Sequence, residues 1–339
     1  MQKKMTTVRP RYFYEMTISS SPHVHSPVTT HTIMRDVIIA LLPALIGSVY
    51  FFGFRALTVT LVSVAACMFF EWLWCKLMDR TCHVNDLSAA VTGMLLAFVC
   101  PVTIPYWTII LGDLFAIILV KMLFGGLGKN FVNPALAGRA FMFSWPALMT
   151  RWVAPGFGSQ VSVLAVPDGV SSATPLYAMS QGALPTENLR QLFLGQVAGC
   201  IGETSVLLLL IGFAYLLIRR VITARIPLAY ILTVAVLTFL FPKGGNPSAQ
   251  WMLSQVFSGG LMLGAIFMAT DYVTSPLTRT GQIIYGIGCG LLTFMIRYFG
   301  SYPEGVSYAI LVMNTCVVLL DRLGRTTKFG APKKEAGKK

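Results

Sequence analysis

The sequence predicts an all-α polytopic membrane protein of about ten transmembrane helices in two halves of five. Three observations carry this. The 339 residues are 55% hydrophobic and only 12% charged, with a mean hydropathy of +0.70; a soluble domain carries roughly a quarter charged residues. The apolar residues fall in runs close to the roughly 17–25 residues that a helix needs to cross a bilayer. The cations between those runs lie mostly on alternate sides.

Taken in order, a polar tail of residues 1–36 leads to five apolar runs at 37–54, 56–75, 87–104, 106–124 and 133–149. A long polar loop at 150–195 separates them from a second five at 196–218, 226–241, 252–270, 281–296 and 305–320. A basic tail, 321–339, follows. The first half is thus 37–149 and the second 196–320. Several runs are short or interrupted by Gly or Pro, as discontinuous helices at membrane binding sites are. An odd number of spans per half means that any internal repeat is inverted. Asn133-Pro134 before the fifth run and Asn246-Pro247 before the eighth, each after glycines, are a faint echo of one.

Counting from a cytoplasmic N-terminus, 20 of the 26 Lys and Arg fall on the cytoplasmic side and five, Arg55, Arg151, Arg190, Lys243 and Arg297, on the other. Arg139 lies inside a run. Both termini are therefore expected in the cytoplasm, with the long loop on the outer face. The net charge of +13 reads as topology signal and contact with anionic lipid headgroups, not as a nucleic-acid surface. The first apolar run is long enough to remain a span, so no cleavable signal peptide is read there.

Metal chemistry finds little support. The seven cysteines form no CxxC pair, and most lie in apolar runs, where free Cys behaves as a small hydrophobe. The histidines, at 23, 25, 31 and 83, lack the i, i+4 spacing of a zinc site. No metal site is expected.

Charges inside the runs are the stronger signal, because each costs roughly 2.5–3.5 kcal/mol at mid-bilayer even on the lenient scale. Asp113 sits mid-run, Glu203 lies toward the outer end of the sixth run, Arg139 is within the fifth and Asp271 ends the eighth. These residues line an ion pathway or pair structurally, for example Arg139 with Asp113. Glu71 and Lys121, near run ends, are expected to snorkel. Gly125, Gly126 and Gly128, ahead of Asn133, either cradle a phosphate or form a tight turn.

One stretch of the outer loop stands apart: Asp168-Gly169-Val170-Ser171-Ser172-Ala173-Thr174-Pro175-Leu176. It resembles the flavinylation signature of the NqrB/RnfD family of membrane proteins. Further matching segments are Phe124 to Asn130 with Asn133-Pro134-Ala135, Gly202-Glu203-Thr204-Ser205, Thr270 to Pro276, and Arg297 to Gly305. The resemblance runs across nearly all of 19–322, and the compact N-terminus and the short loop look more like the RnfD branch. Two positions depart from it: Ser172 stands where many members have glycine, and Tyr272 where proline is more usual.

The resemblance implies a urea-transporter-like fold of two inverted five-helix halves. It implies FMN joined by a phosphoester to the hydroxyl of Thr174, installed from FAD by a separate flavin transferase. Pro175 would hold Thr174 extended, with Asp168, Gly169, Ser171 and Ala173 completing the motif. Asp113, Glu203, Asp271 and Arg139 then become ion-pathway or flavin-lining candidates, and Gly125, Gly126, Gly128 and Asn133 a flavin-proximal loop. A second, noncovalent flavin such as riboflavin is a further possibility within the family.

The implied role is electron transfer in a ferredoxin–NAD oxidoreductase that moves Na⁺ or H⁺ across a bacterial cytoplasmic (inner) membrane. Its partners would be an NADH-binding subunit, an iron–sulfur subunit, a second FMN-bearing subunit and small membrane subunits. The chain alone, lacking a nucleotide fold and iron–sulfur ligand spacing, would be a non-autonomous part of that translocase. The alternative is a solute transporter, which explains the broken spans and buried charges but not Thr174 and its motif.

Overall fold

The computed structural model describes residues 28–79, 84–153, 155, 174–203, 205–300, 302 and 304–323, and every regular element among them is helical. The chain begins with α1 (Thr30–Phe52), whose start lies ahead of the first apolar run because Thr29 and Thr32 form a capping box. Gly53, at φ 81°, is the whole connection to α2 (Phe54–Leu77); only glycine adopts that geometry at no steric cost. α3 (Ser88–Phe98) and α4 (Tyr106–Leu114) follow, and α4 passes directly into a π-helix, Phe115–Met122. α5 (Pro134–Met142) and the single turn α6 (Pro146–Met149) close the first half.

Between the halves lie α7 (Pro175–Ser180) and α8 (Leu189–Leu194). The second half comprises α9 (Val206–Ile218), α10 (Arg225–Leu240), α11 (Ser248–Phe257), α12 (Leu261–Leu263) with its π-helical extension Gly264–Met268, α13 (Arg279–Phe299) and α14 (Val306–Leu323). Among the described residues, α1, α2, α13 and α14 are long and apolar enough to span a membrane. A fifth span results if α11 and α12 count as one helix bent by 64°. α3, α9 and α10 are apolar but shorter, at 11, 13 and 16 residues.

Three apolar runs are therefore less helical than their composition suggests. The run 87–104 stops at Phe98, three residues before Pro101, and run 133–149 splits where Pro146 restarts the chain. Run 196–218 becomes helical only at Val206. In the first two, proline withholds an amide and disfavours helix just before it, whereas run 196–218 holds no proline; each interruption leaves polar backbone inside the molecule. That backbone builds the site described below.

α1 packs along α9, and α5 against α14, so the halves meet through these pairs. Large apolar side chains face outward in rows, as Leu228, Leu232, Val236 and Phe239 do on α10. The inward faces carry small and polar residues, the arrangement expected when lipid is the solvent. On α13, a Cβ at Gly286 would lie 2.7 Å from the Ala229 Cβ, and one at Gly290 2.6 Å from the Thr233 Cβ. The helices touch backbone to backbone there, and Tyr230 and Thr293 share a 2.6 Å hydrogen bond alongside. Gly286→Leu should force α10 and α13 apart, at a cost of about 1–3 kcal/mol or more. Size-exclusion profiles in detergent should show loss of the monodisperse peak; an unchanged profile would mean that the contact is not tight.

Candidate functional site

The site grows from the break between α11 and α12. Helix ends leave carbonyls without intrahelical partners, and at Ser258-Gly259-Gly260 these are buried. Arg297 of α13 answers them. Its Nη1 donates to the Gln255 carbonyl at 2.6 Å and side-chain Oε1 at 3.1 Å, its Nη2 to the Ser258 carbonyl at 3.1 Å, and its Nε to the Glu304 carbonyl at 3.4 Å. Arg297 is thus a buried brace and not an interfacial charge. Arg55, donating to the carbonyls of Val102 and Ile104, is likewise buried. So is Lys121, paired with Glu71 at 3.0 Å and donating to Ser88 Oγ at 2.6 Å. The expected snorkelling of Glu71 and Lys121 is therefore corrected: the two neutralise each other between helices. Removing these three cations from the topology count leaves the asymmetry stronger.

Thr174 precedes the short helix α7, whose Leu176 reaches this break. It is half-buried and extended (φ −76°, ψ 151°), as Pro175 dictates, and its Oγ1 accepts from the Tyr177 amide at 3.3 Å, capping α7. Leu176 then reaches the break: a Cβ on Gly259 would lie 2.2 Å from Leu176 Cδ1 and 3.3 Å from Arg297 Nη2. Leu176 and Met179 pack with Trp251 of α11, whose indole donates to the Tyr298 hydroxyl at 2.8 Å. Asp168, Gly169, Ser171 and Ala173 lie outside the described residues.

Immediately beside the break, Arg139 of α5 grips both carboxylate oxygens of Glu304 with its two terminal nitrogens. Arg139 Nη1 also donates to Ser307 Oγ at 2.7 Å, and the Tyr302 hydroxyl donates to Glu304 Oε2 at 2.8 Å. The pairing of Arg139 with Asp113 is thereby corrected. The partner lies 165 residues along the chain, brought in by the packing of α14 on α5. Glu203 is also relocated: it sits in the turn before α9, not within a helix. That turn is stitched to the end of α3, Ile201 donating to the Cys100 carbonyl at 3.0 Å and Gly202 to the Phe98 carbonyl at 2.9 Å. Glu203 Oε1 accepts from the Cys200 amide at 3.1 Å, while Oε2 has no hydrogen-bond partner among the described residues.

The other candidates lie elsewhere. Asp113 is enclosed between α2 and α4, its Oδ1 accepting from Ser63 Oγ at 2.7 Å and Cys67 Sγ at 3.2 Å, with Oδ2 unpartnered among the described residues. Asp271 accepts from Thr274 Oγ1 at 2.9 Å at the far end of α9. It lines a cavity between the halves with Ser88, Thr92, Lys121, Asn130 and Asn133. Asn133 caps α5 through Oδ1 and donates through Nδ2 to the Met268 carbonyl at 3.3 Å, closing one helix of each half. Asn246 does different work, donating to Gly182 and Lys243 carbonyls, so the two Asn-Pro pairs are not equivalent.

Gly125, Gly126 and Gly128 have φ values of 113°, 88° and 89°. The Gly125 and Gly126 amides donate to Met122 and Lys121 carbonyls at 3.0 Å. Those two amides are spent on a tight reversal of the chain.

The sequence reading missed Glu304, Tyr302, Ser258 and Gly260 as site residues. Glu304 stood just outside an apolar run, and the signal that could have found it was an acidic residue in a glycine- and proline-bearing approach to a helix.

Comparison with known proteins places this arrangement. The model of the NQR2, RnfD, RnfE family matches residues 17–330. A subunit of the Na(+)-translocating ferredoxin:NAD(+) oxidoreductase complex of Acetobacterium woodii is 46% identical over 322 residues, covering 94% of this chain and 96% of that protein. Its counterpart in the Proton-translocating ferredoxin:NAD(+) oxidoreductase complex of Clostridium ljungdahlii is 41% identical, covering 93% and 96%. A subunit of the Ion-translocating oxidoreductase complex of Actinobacillus succinogenes is 37% identical, covering 92% and 97%. Matched along nearly its whole length, the chain belongs to the NQR2, RnfD, RnfE family.

Proposed function

We propose that this chain is the integral-membrane electron-transfer subunit, of the RnfD type, of an ion-translocating ferredoxin:NAD oxidoreductase, with FMN carried covalently on Thr174. One observation carries the reading: Thr174 is docked, through Leu176, on a broken helix where buried charges from both halves converge. A transporter without redox chemistry gives no reason for that placement.

The residues fit the flavin. Thr174 is half-buried, and among the described residues its hydroxyl accepts one hydrogen bond, from the Tyr177 amide. Attachment by a transferase moves FMN from FAD to Thr174 Oγ1, with the hydroxyl proton lost and AMP released. FMN, when bound, supplies one- and two-electron transfer. The chain's own part is to hold the phosphate end, and to offer Phe143, Tyr302 and Tyr308, with ring centroids 4.8–6.4 Å apart, as an aromatic surface beside Arg139. The cavity at Asp271, lined by both polar and apolar side chains, is the candidate place for a second, noncovalent flavin such as riboflavin.

The remaining subunits are the partners: the NADH-binding, iron–sulfur, second FMN-bearing and small membrane subunits, besides membrane lipids and the maturation transferase. The chain would sit in a bacterial inner membrane as ten spans in two inverted halves, with Thr174 on the outer face. The test is ultraviolet fluorescence of the denatured chain on a gel after expression with the transferase. A fluorescent band is expected, and a dark band from cells that flavinylate other substrates defeats the reading. Orientation is checked separately: a cytoplasm-dependent reporter should be active after Lys339 and silent within 161–184. Activity at the loop would invert the topology.

A further inference from the structure

Asp113, near the end of α4, is fully buried, and it forms no ion pair among the described residues. α4 packs on α2, α3, α5 and the π-helix, and the charges of those elements are engaged elsewhere. Arg55 donates to the Val102 and Ile104 carbonyls, and Lys76 lies over the Trp72 ring. Glu71 pairs with Lys121, and Arg139 holds Glu304. α3 carries no titratable residue. α2 adds the thiols of Cys67, 3.2 Å from Asp113 Oδ1, and of Cys75 further along. On α4 itself, the Tyr106 hydroxyl shares a 2.8 Å hydrogen bond with Thr58.

The hydrogen bonds around Asp113 do not close for a carboxylate. A serine hydroxyl has one proton to give, yet Ser63 Oγ lies 2.7 Å from Asp113 Oδ1 and 2.8 Å from the Gly93 carbonyl oxygen. If Ser63 gives its proton to an ionised Asp113, its oxygen faces the Gly93 carbonyl with no proton between them. A Cβ on Gly93 would stand 2.8 Å from the Ser63 carbonyl oxygen, so α2 and α3 touch there and Ser63 has no room to withdraw. One further proton completes the set: Asp113 Oδ1 donates to Ser63 Oγ, and Ser63 donates to Gly93. Oδ2, without a partner among the described residues, is then the carbonyl oxygen of a neutral acid, which costs far less to bury than a lone carboxylate.

Polar side chains connect this acid with the cavity between the halves. Glu71 follows Cys67 on the same face of α2, at the i, i+4 spacing. Its partner Lys121 donates to Ser88 Oγ, and Lys121 and Ser88 both line the cavity. Directly after Asp113 and Leu114 the helix widens into the π-helix that carries Lys121, a distortion frequent at functional sites. We propose that Asp113 is a proton-binding site: a carboxylic acid that donates to Ser63 and exchanges its proton by way of that cavity. The site rests on this geometry. Its part in ion translocation rests on the proposed function, which it deepens by naming H⁺ as the ligand of one pathway residue.

The test is infrared difference spectroscopy of the purified full-length chain at neutral pH, in a detergent without ester groups. Wild type minus Asp113→Asn should show the carbonyl band of a protonated acid and no carboxylate bands. Transfer to deuterium oxide should shift that band to lower frequency. Ser63→Ala removes the acceptor of the acid's proton, so the band should move to higher frequency, a change that a merely structural role for Ser63 does not produce. Wild type minus Ser63→Ala decides the matter if Asp113→Asn fails to fold.

Carboxylate bands in place of the acid band overturn the site, as does an acid band that sodium chloride abolishes, since the ligand is then a metal cation. A band indifferent to Ser63→Ala also overturns it. One unmoved in deuterium oxide marks a sealed acid with no route to the cavity, and does the same. Flavin fluorescence on the same samples separates this site from the proposed function. A dark chain that shows the acid band keeps the proton site and removes the flavin, whereas a fluorescent chain without the band does the reverse.

Discussion

Thr174→Ala should abolish covalent flavin while leaving the chain folded in its membrane. The hydroxyl is the only attachment atom at that position, and its structural share is one cap on a six-residue helix. Losing such a cap costs roughly 0.5–2 kcal/mol. α7 is also held by Leu176 and Met179 against Trp251, so the docking should survive. Gel fluorescence should fall to background, and peptide mass spectrometry of the wild type should find FMN on Thr174 alone. FMN persisting on the variant, or found on Ser171 or Ser172 of the wild type, would refute the assignment. Among the described residues no histidine or carboxylate hydrogen-bonds Thr174, and an unactivated hydroxyl is a poor nucleophile. Expression without a transferase should therefore give the same dark chain.

The second large effect concerns Arg139. Breaking a buried ion pair by removing one partner costs about 3–5 kcal/mol, because the survivor is left as an uncompensated charge. In Arg139→Met, Glu304 would keep, among the described residues, only the Tyr302 hydroxyl as a side-chain partner, with Glu203 close by. Sharp loss of thermal stability in detergent is expected, together with poor incorporation into the complex. The double variant Arg139→Met/Glu304→Gln removes both charges and should recover much of the loss. A double-mutant cycle measures the coupling, and additive effects would mean that the two residues do not meet.

Much was legible in the chain before any coordinates. Low charge and long apolar runs dictate helices, because in lipid every backbone amide needs a partner within its own segment. Pro175 sets the backbone of Thr174 through a local steric clash, and that held. Charges inside apolar runs were flagged on cost alone, and Arg139, Asp113 and Glu203 are all buried. Such inferences rest on neighbours in sequence or on the solvent.

Only the tertiary structure could decide partners. Arg139 meets Glu304 and not Asp113; Lys121 meets Glu71 instead of water; Arg297, counted as an interfacial charge, braces a broken helix. Gly260 looks like any turn glycine until two carboxylates from distant segments are seen to converge above it. Composition and proline placement determine where helices form and fail, because those are short-range energies. Which buried charge neutralises which depends on how α5, α9, α13 and α14 pack, and that is fixed by contacts spread over the whole chain.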